Sequence, residues 1–161
     1  MEMVREVEQA EQRLEGIAAT TPLQPSIRLS EQYGARILIK REDMQAVRSF
    51  KIRGAYNKIA SLSPEDRKRP IVCASAGNHA QGVAFACAHL GIGATIFMPR
   101  ITPTQKIERV EHFGGEFVEI RLVGDSYDES SAAAEEYCEQ KRGIFVHCLL
   151  YTSPSPRDRQ K

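Results

Sequence analysis

Residues 71–98 read IVCASAGNHAQGVAFACAHLGIGATIFM, and the fold turns on this stretch. Ile71–Ala74 is a short apolar run of strand length. Asn78 to Leu90 has helical spacing, with Ala80, Val83, Ala84 and Cys87 on one apolar stripe. Ala94–Met98 is again a strand, closed by Pro99. A strand, a helix and a strand joined by short connections predict parallel strands with a covering helix, and the right-handed crossover rule restricts the topology.

The same rhythm continues downstream. Thr102-Pro103 opens a helix to about Phe113, with proline at a favourable first position. Gly114-Gly115 turns the chain into a strand over Glu116–Ile120. A helix from Tyr127 to Arg142 and a strand over Ile144–Val146 follow. Upstream, residues 3–18 carry Val4, Val7, Leu14 and Ile17 at helical spacing, ended by Thr20-Thr21-Pro22. Arg36–Lys40 reads as a short strand. Ser49 reads as the N-cap of a helix to about Leu62 that carries Lys51 in its first turn. The class predicted is α/β, with parallel sheets and flanking helices.

The composition suits a soluble globular chain, with 42% apolar and 27% charged residues in 161. A formal net charge of +1 gives no electrostatic reason to expect nucleic acid or an anionic membrane as partner. No apolar run approaches twenty residues, and Met1 leads straight into a charged segment with no signal-peptide pattern. Cys73, Cys87, Cys138 and Cys148 show neither metal spacing nor a redox pair, and the four histidines are scattered. Reduced thiols, a cytoplasmic location and no metal site are the expectation.

Two stretches bear chemistry. In RSFKIRGAY (48–56), Lys51 lies between Phe50 and Ile52, so it is either a snorkelling surface residue or a functional amine. In SAGNHAQG (75–82), a strand gives way to a helix, where unpaired backbone N–H groups make a natural anion site. Ala76 and Gly77 let a ligand approach the backbone closely, and Ser75 and Asn78 add side-chain hydrogen bonds. Taken alone, Ser75 and Asn78 read more often as helix caps and His79 more often as a structural histidine. Gly114-Gly115 lacks the lysine of a phosphate loop and reads as a turn. Glu42-Asp43 read as loop residues, Arg53 and Tyr56 as packing residues.

Taken together, the two motifs resemble the tryptophan-synthase-β-like (fold type II) pyridoxal-phosphate enzymes and, among these, the biosynthetic threonine dehydratases (threonine ammonia-lyases). The likeness runs from about Val4 to His147. It includes TTPLQPS at 20–26, IKRED at 39–43, RSFKIRGAYNKI at 48–59, ASAGNHAQGVA at 74–84, MPRITPTQKI at 98–107 and FGGEFVEIRLVGDSYDES at 113–130. The resemblance implies that Lys51 forms the Schiff base with pyridoxal 5'-phosphate. It implies that Phe50 packs near the cofactor ring and that Asn78 bonds the ring's 3′-oxygen. Ser75, Ala76, Gly77, Asn78 and His79 would hold the carboxylate of an amino-acid substrate. The reaction implied is β-elimination of L-threonine to 2-oxobutanoate and ammonia, the committed step towards isoleucine, in a homo-oligomeric full-length parent.

Relatives differ at the position of Ala76. Serine racemases of the family carry serine there as a second acid/base, and alanine transfers no proton, so the resemblance favours dehydratase over racemase. A catabolic serine/threonine dehydratase and a non-catalytic α/β fragment are the competing readings. The resemblance assigns residues 1–65 to an incomplete large cofactor domain and 66–147 to the small α/β domain. Residues 148–161 (CLLYTSPSPRDRQK) break the apolar periodicity and resemble the translation of a transposase-type sequencing adapter. The family commonly has proline after the FVH of 145–147, so the natural protein is expected to continue beyond His147. The family's glycine-rich phosphate cup and the residue facing the pyridine nitrogen have no match in these 161 residues, so the chain itself is expected to have little or no dehydratase activity.

Overall fold

The computed structural model describes residues 2–148. The adapter-like segment, apart from Cys148, lies outside them. Helix α1 (Glu2–Leu14) opens the chain and stops short of Ile17, where Gly16 turns left-handed at φ 73°. Two elements that the apolar pattern did not signal come next, β1 (Leu23–Pro25) and α2 (Ile27–Tyr33). Strand β2 (Leu38–Lys40) pairs antiparallel with β1, Leu23 facing Lys40, and is shorter than the run from Arg36 suggested. A 3-10 turn over Glu42–Met44 then leads to α3 (Lys51–Ala60).

Ser49 does not cap α3. The preceding Arg48 takes φ 55°, and the residue at the cap is Phe50, already in helical geometry with no side-chain bond. A capping serine needs an extended backbone at its own position, which this approach removes. The Ser49 hydroxyl is instead buried without a hydrogen-bond partner among the described residues.

The remaining elements are β3 (Ile71–Ala74), α4 (Asn78–Leu90), β4 (Ala94–Met98), α5 (Thr104–Gly114), β5 (Val118–Leu122), α6 (Tyr127–Gln140) and β6 (Ile144–Phe145). They match the reading from sequence within a few residues. The largest shift is at β5, which starts two residues late because a 3-10 turn takes up Gly115–Phe117. Pro103 sits at the cap of α5 rather than inside it.

The four later strands form one parallel sheet in the order β5-β4-β3-β6. Its centre is covered on both faces, so β3 and β4 are buried throughout and show no polar alternation. Ile71 and Cys73 face a cluster with Ala55 and Ile59 of α3, Val83 and Cys87 of α4, and Val110 of α5. Val72 and Ala74 face the other way, onto Phe97 and onto Ala134 and Cys138 of α6. Each fully buried isoleucine or valine here contributes about 1.5–3 kcal/mol relative to exposure. Among the described residues no helix is long and apolar enough to cross a membrane.

Candidate active site

The strand order positions the site. From β3 the chain passes through α4 to β4 and through α5 to β5, always outward in one direction. After α6 it returns to the opposite side of β3 and lays down β6. The strand order thus reverses between β3 and β6, and at such a switch point open α/β sheets bind ligands in the crevice beyond the carboxyl ends of the strands. Residues 75–77 follow β3 into that crevice, and residues 146–148 follow β6.

Lys51 reaches the same place from the other half of the chain. Helix α3 packs along α4, and the two meet tightly at Gly82. A Cβ on Gly82 would lie 3.0 Å from the Lys51 carbonyl oxygen and 3.3 Å from Ala55 Cβ. The missing side chain thus lets the backbone of Lys51 settle beside α4. The Lys51 amine donates to the carbonyl oxygen of Cys148 at 2.6 Å and lies 5.3 Å from the centre of the Phe50 ring. Phe50 is half exposed.

His79 grips the same segment two residues earlier. Its Nε2–H donates to the carbonyl oxygen of Val146 at 2.9 Å. This fixes the neutral tautomer, and Nδ1 is left buried without a partner among the described residues. Burial lowers the affinity of His79 for a second proton. The bond to Val146 opposes that shift, and the nearby charges of Lys51 and His147 reinforce it. Val146 N–H in turn donates to Val72 of β3 at 2.8 Å, so the three-residue segment is anchored to the sheet as well.

The loop Ser75–His79 opens α4 without a side-chain cap. Gly77 is the cap residue in extended geometry, and Ser75 Oγ accepts from the Gly77 N–H at 3.2 Å. Asn78 is the first helical residue, with an exposed side chain. The capping alternative for Ser75 and Asn78 is thereby set aside, because the extended backbone falls at Gly77, which has no side chain to cap with. The structure brings Lys51, Phe50 and His79 around residues 146–148, and Ser75, Ala76, Gly77 and Asn78 to the adjoining helix start. The donor set fits the aldehyde and ring end of an aromatic carbonyl cofactor: a primary amine, an aromatic side chain, an amide and a row of helix-start N–H groups.

Sequence reasoning missed the polar network behind Lys51. Glu42 and Arg53 form a two-pronged ion pair: Nε donates to Oε2 and an Nη to Oε1, each at 2.8 Å. Thr21 Oγ1–H donates to Oε1 at 2.6 Å and Gln45 Nε2 to Oε2 at 3.2 Å. The Arg53 fork pulls the Glu42 carboxyl down to about 2. Burial opposes this, and Thr21 adds to the lowering. Asp43, its neighbour, is an exposed partner of Arg41. Glu42 lies in the 3-10 turn and Arg53 in α3, so no single periodic element joins them and their pairing leaves no trace in the sequence.

A family model described as pyridoxal-phosphate dependent enzyme matches residues 14–152. Over 144 residues the chain is 51% identical to a biosynthetic L-threonine dehydratase of Bacillus subtilis, covering 89% of this chain and 34% of that protein. A dehydratase of the same name from Corynebacterium glutamicum is 50% identical over 147 residues, with 90% and 34% covered. The chain thus spans about a third of the length of these relatives. Among solved structures, the processed form of threonine deaminase isoform 2 from Solanum lycopersicum superposes with a TM-score of 0.80 at 38% identity, covering 90% of this chain and 39% of that one. Maize serine racemase gives 0.80 at 31% identity, covering 89% and 43%.

Proposed function

The chain belongs to the pyridoxal-phosphate dependent enzyme family, and we propose that it is the lysine-bearing N-terminal part of a biosynthetic threonine dehydratase (threonine ammonia-lyase). The parent would convert L-threonine to 2-oxobutanoate and ammonia on the way to isoleucine, in the cytoplasm and as a homo-oligomer. The observation that carries this reading is the packing of Lys51 against α4 at Gly82, close enough to the start of that helix for its charge to act on His79.

Each residue then has a task. Lys51 would hold pyridoxal 5'-phosphate, with Phe50 against its ring and Asn78 bonding its ring oxygen. When bound, that group supplies an electron sink for negative charge at the substrate's Cα. The Lys51 amine takes the Cα proton at Nζ. The loop from Ser75 to His79 would hold the substrate carboxylate at the positive end of α4 through its Ala76, Asn78 and His79 N–H groups, since the Ser75 N–H donates to Phe97 and the Gly77 N–H to Ser75 Oγ. The side chain of His79 is committed inward, to Val146, so its part is to hold that loop against β6 while its backbone faces the ligand. Residues 1–65 belong to the cofactor domain and 66–147 to the smaller one on this reading, and 148–161 are foreign sequence.

Serine racemase is the second reading, favoured by the equal superposition on the maize enzyme. The methyl group of Ala76 counts against it, since racemisation needs a second proton donor on the opposite face of Cα. The test is made in the full-length parent, obtained by reading the genomic DNA beyond the codon for His147. Threonine should yield 2-oxobutanoate, and Lys51→Ala should lower turnover by about 10³-fold or more. Retained turnover would remove Lys51 from the mechanism, and formation of D-amino acid in place of 2-oxobutanoate would favour the racemase.

A further inference from the structure

Three motifs far apart in the sequence meet at one carboxylate. TTPLQPS (20–26) supplies Thr21, IKRED (39–43) supplies Glu42, and RSFKIRGAYNKI (48–59) supplies Arg53. The loop before the first motif is held too. Gln45 accepts from the Ala19 N–H at 2.9 Å and donates to the Ala19 carbonyl at 2.8 Å. Arg53 donates to that same carbonyl at 3.0 Å, and Lys40 Nζ donates to the Thr21 carbonyl at 2.6 Å.

Arg53 stands two residues after Lys51, in the first turn of α3. That helix starts without a side-chain cap, and its buried face is the apolar row Ile52, Ala55, Tyr56 and Ile59. The apolar face and the close approach at Gly82 fix how α3 lies on α4, and a directional contact in the first turn adds a specific constraint on its rotation there. A bidentate guanidinium–carboxylate fork is directional. Glu42, with a side chain only 16% exposed, receives donors from three other residues, so its own position is set from several sides. This is unlike an exposed surface pair, which holds little.

We propose that Glu42, acting through Arg53, is a positioning residue for Lys51: it fixes the rotation of the first turn of α3 and so aims the Lys51 amine into the crevice between β3 and β6. The proposal rests on Lys51 as the cofactor's anchor.

The experiment uses the purified 161-residue chain. Pyridoxal phosphate is added, the adduct is reduced with borohydride, and peptide mass spectrometry gives the labelling rates of Lys51 and Lys58. Wild type should label faster at Lys51. Glu42→Gln should slow Lys51 by about tenfold and leave Lys58 unchanged, since misaiming a reacting group costs rate steeply. Thr21→Val, which removes one donor, should act in the same direction to a smaller extent. Ile59→Val, a core truncation in the same helix, controls for lost stability and should leave Lys51 as in wild type. Equal slowing in Ile59→Val would overturn the proposal by making it a matter of stability alone. Unchanged Lys51 labelling in Glu42→Gln would overturn it too. If Glu42→Gln does not fold, Thr21→Val and Arg53→Lys decide, and unchanged labelling in both overturns it. A wild type with no preference for Lys51 would overturn the reading of Lys51 as anchor and the proposal with it, an outcome distinct from the others.

Discussion

At Gly82 there is no room for a side chain, since a β-carbon would stand 3.0 Å from the Lys51 carbonyl oxygen. Gly82→Ala must push α3 and α4 apart by some tenths of an ångström. We expect a loss of about 1–3 kcal/mol in urea denaturation, together with slower labelling of Lys51. His79 gives a pH-dependent prediction. Its proton affinity is lowered in the fold, so the unfolded chain binds a proton first as pH falls. Stability should be full above the ordinary histidine value of 6.5 and decline below it. His79→Gln should remove that part of the slope in denaturation midpoints measured from pH 8 to pH 5. What was legible at this scale was Lys51 and the Ser75–His79 loop, because both are written in contiguous residues. Glu42 was not, since its partners Thr21 and Arg53 come from other segments.

Whole elements were readable where burial imposes a period. The β3, α4 and β4 readings came from uninterrupted apolar strands around a striped helix, and these two central strands are buried on both faces as that pattern requires. The three-residue β1 and seven-residue α2 are exposed and too short to show a period, so nothing in their composition announced them. The start of α6 shows what a local signal can do. Ser126 Oγ accepts from the Glu129 N–H at 3.2 Å, and a Glu129 carboxylate oxygen accepts from the Asp125 N–H at 2.6 Å. Ser126→Ala should cost about 1 kcal/mol, read as a shift of the urea midpoint. At the other end of the pH range, the Glu42 network ties the 3-10 turn after β2 to α3. The depressed carboxyl keeps its contribution above the ordinary glutamate value of 4.5 and loses it as pH falls towards about 2. Glu42→Gln should be less stable at pH 7 and show a flatter acid limb over that window.

For the molecule as a whole, the apolar surface is unevenly covered. Leu23, Leu38 and Ile39 of the two-stranded sheet are exposed, as are Met3, Val4 and Val7 of α1. Open strand edges and exposed apolar faces promote association. The 161-residue chain should therefore associate with rising concentration in sedimentation velocity. Leu38→Lys with Ile39→Lys should shift it towards the monomer. Sedimentation as a single monomeric species at all concentrations would contradict this. The sequence carried the α/β class and the crevice-lining motifs, whereas the crevice itself depends on where β6 returns.

That return has a consequence in time. The bond from His79 to Val146 joins residues 67 apart. At translation speeds of about 5–20 residues per second, the acceptor emerges roughly 3–13 s after the imidazole. Helices α3 and α4 can pack long before then, since their contacts are nearer in sequence. Strand β6 docks last, beside a β3 already flanked by β4 on its other edge. The crevice is thus written early and closed late, and a ribosome paused before codon 144 would carry a nascent chain whose lysine and helix start await the strand that makes them one site.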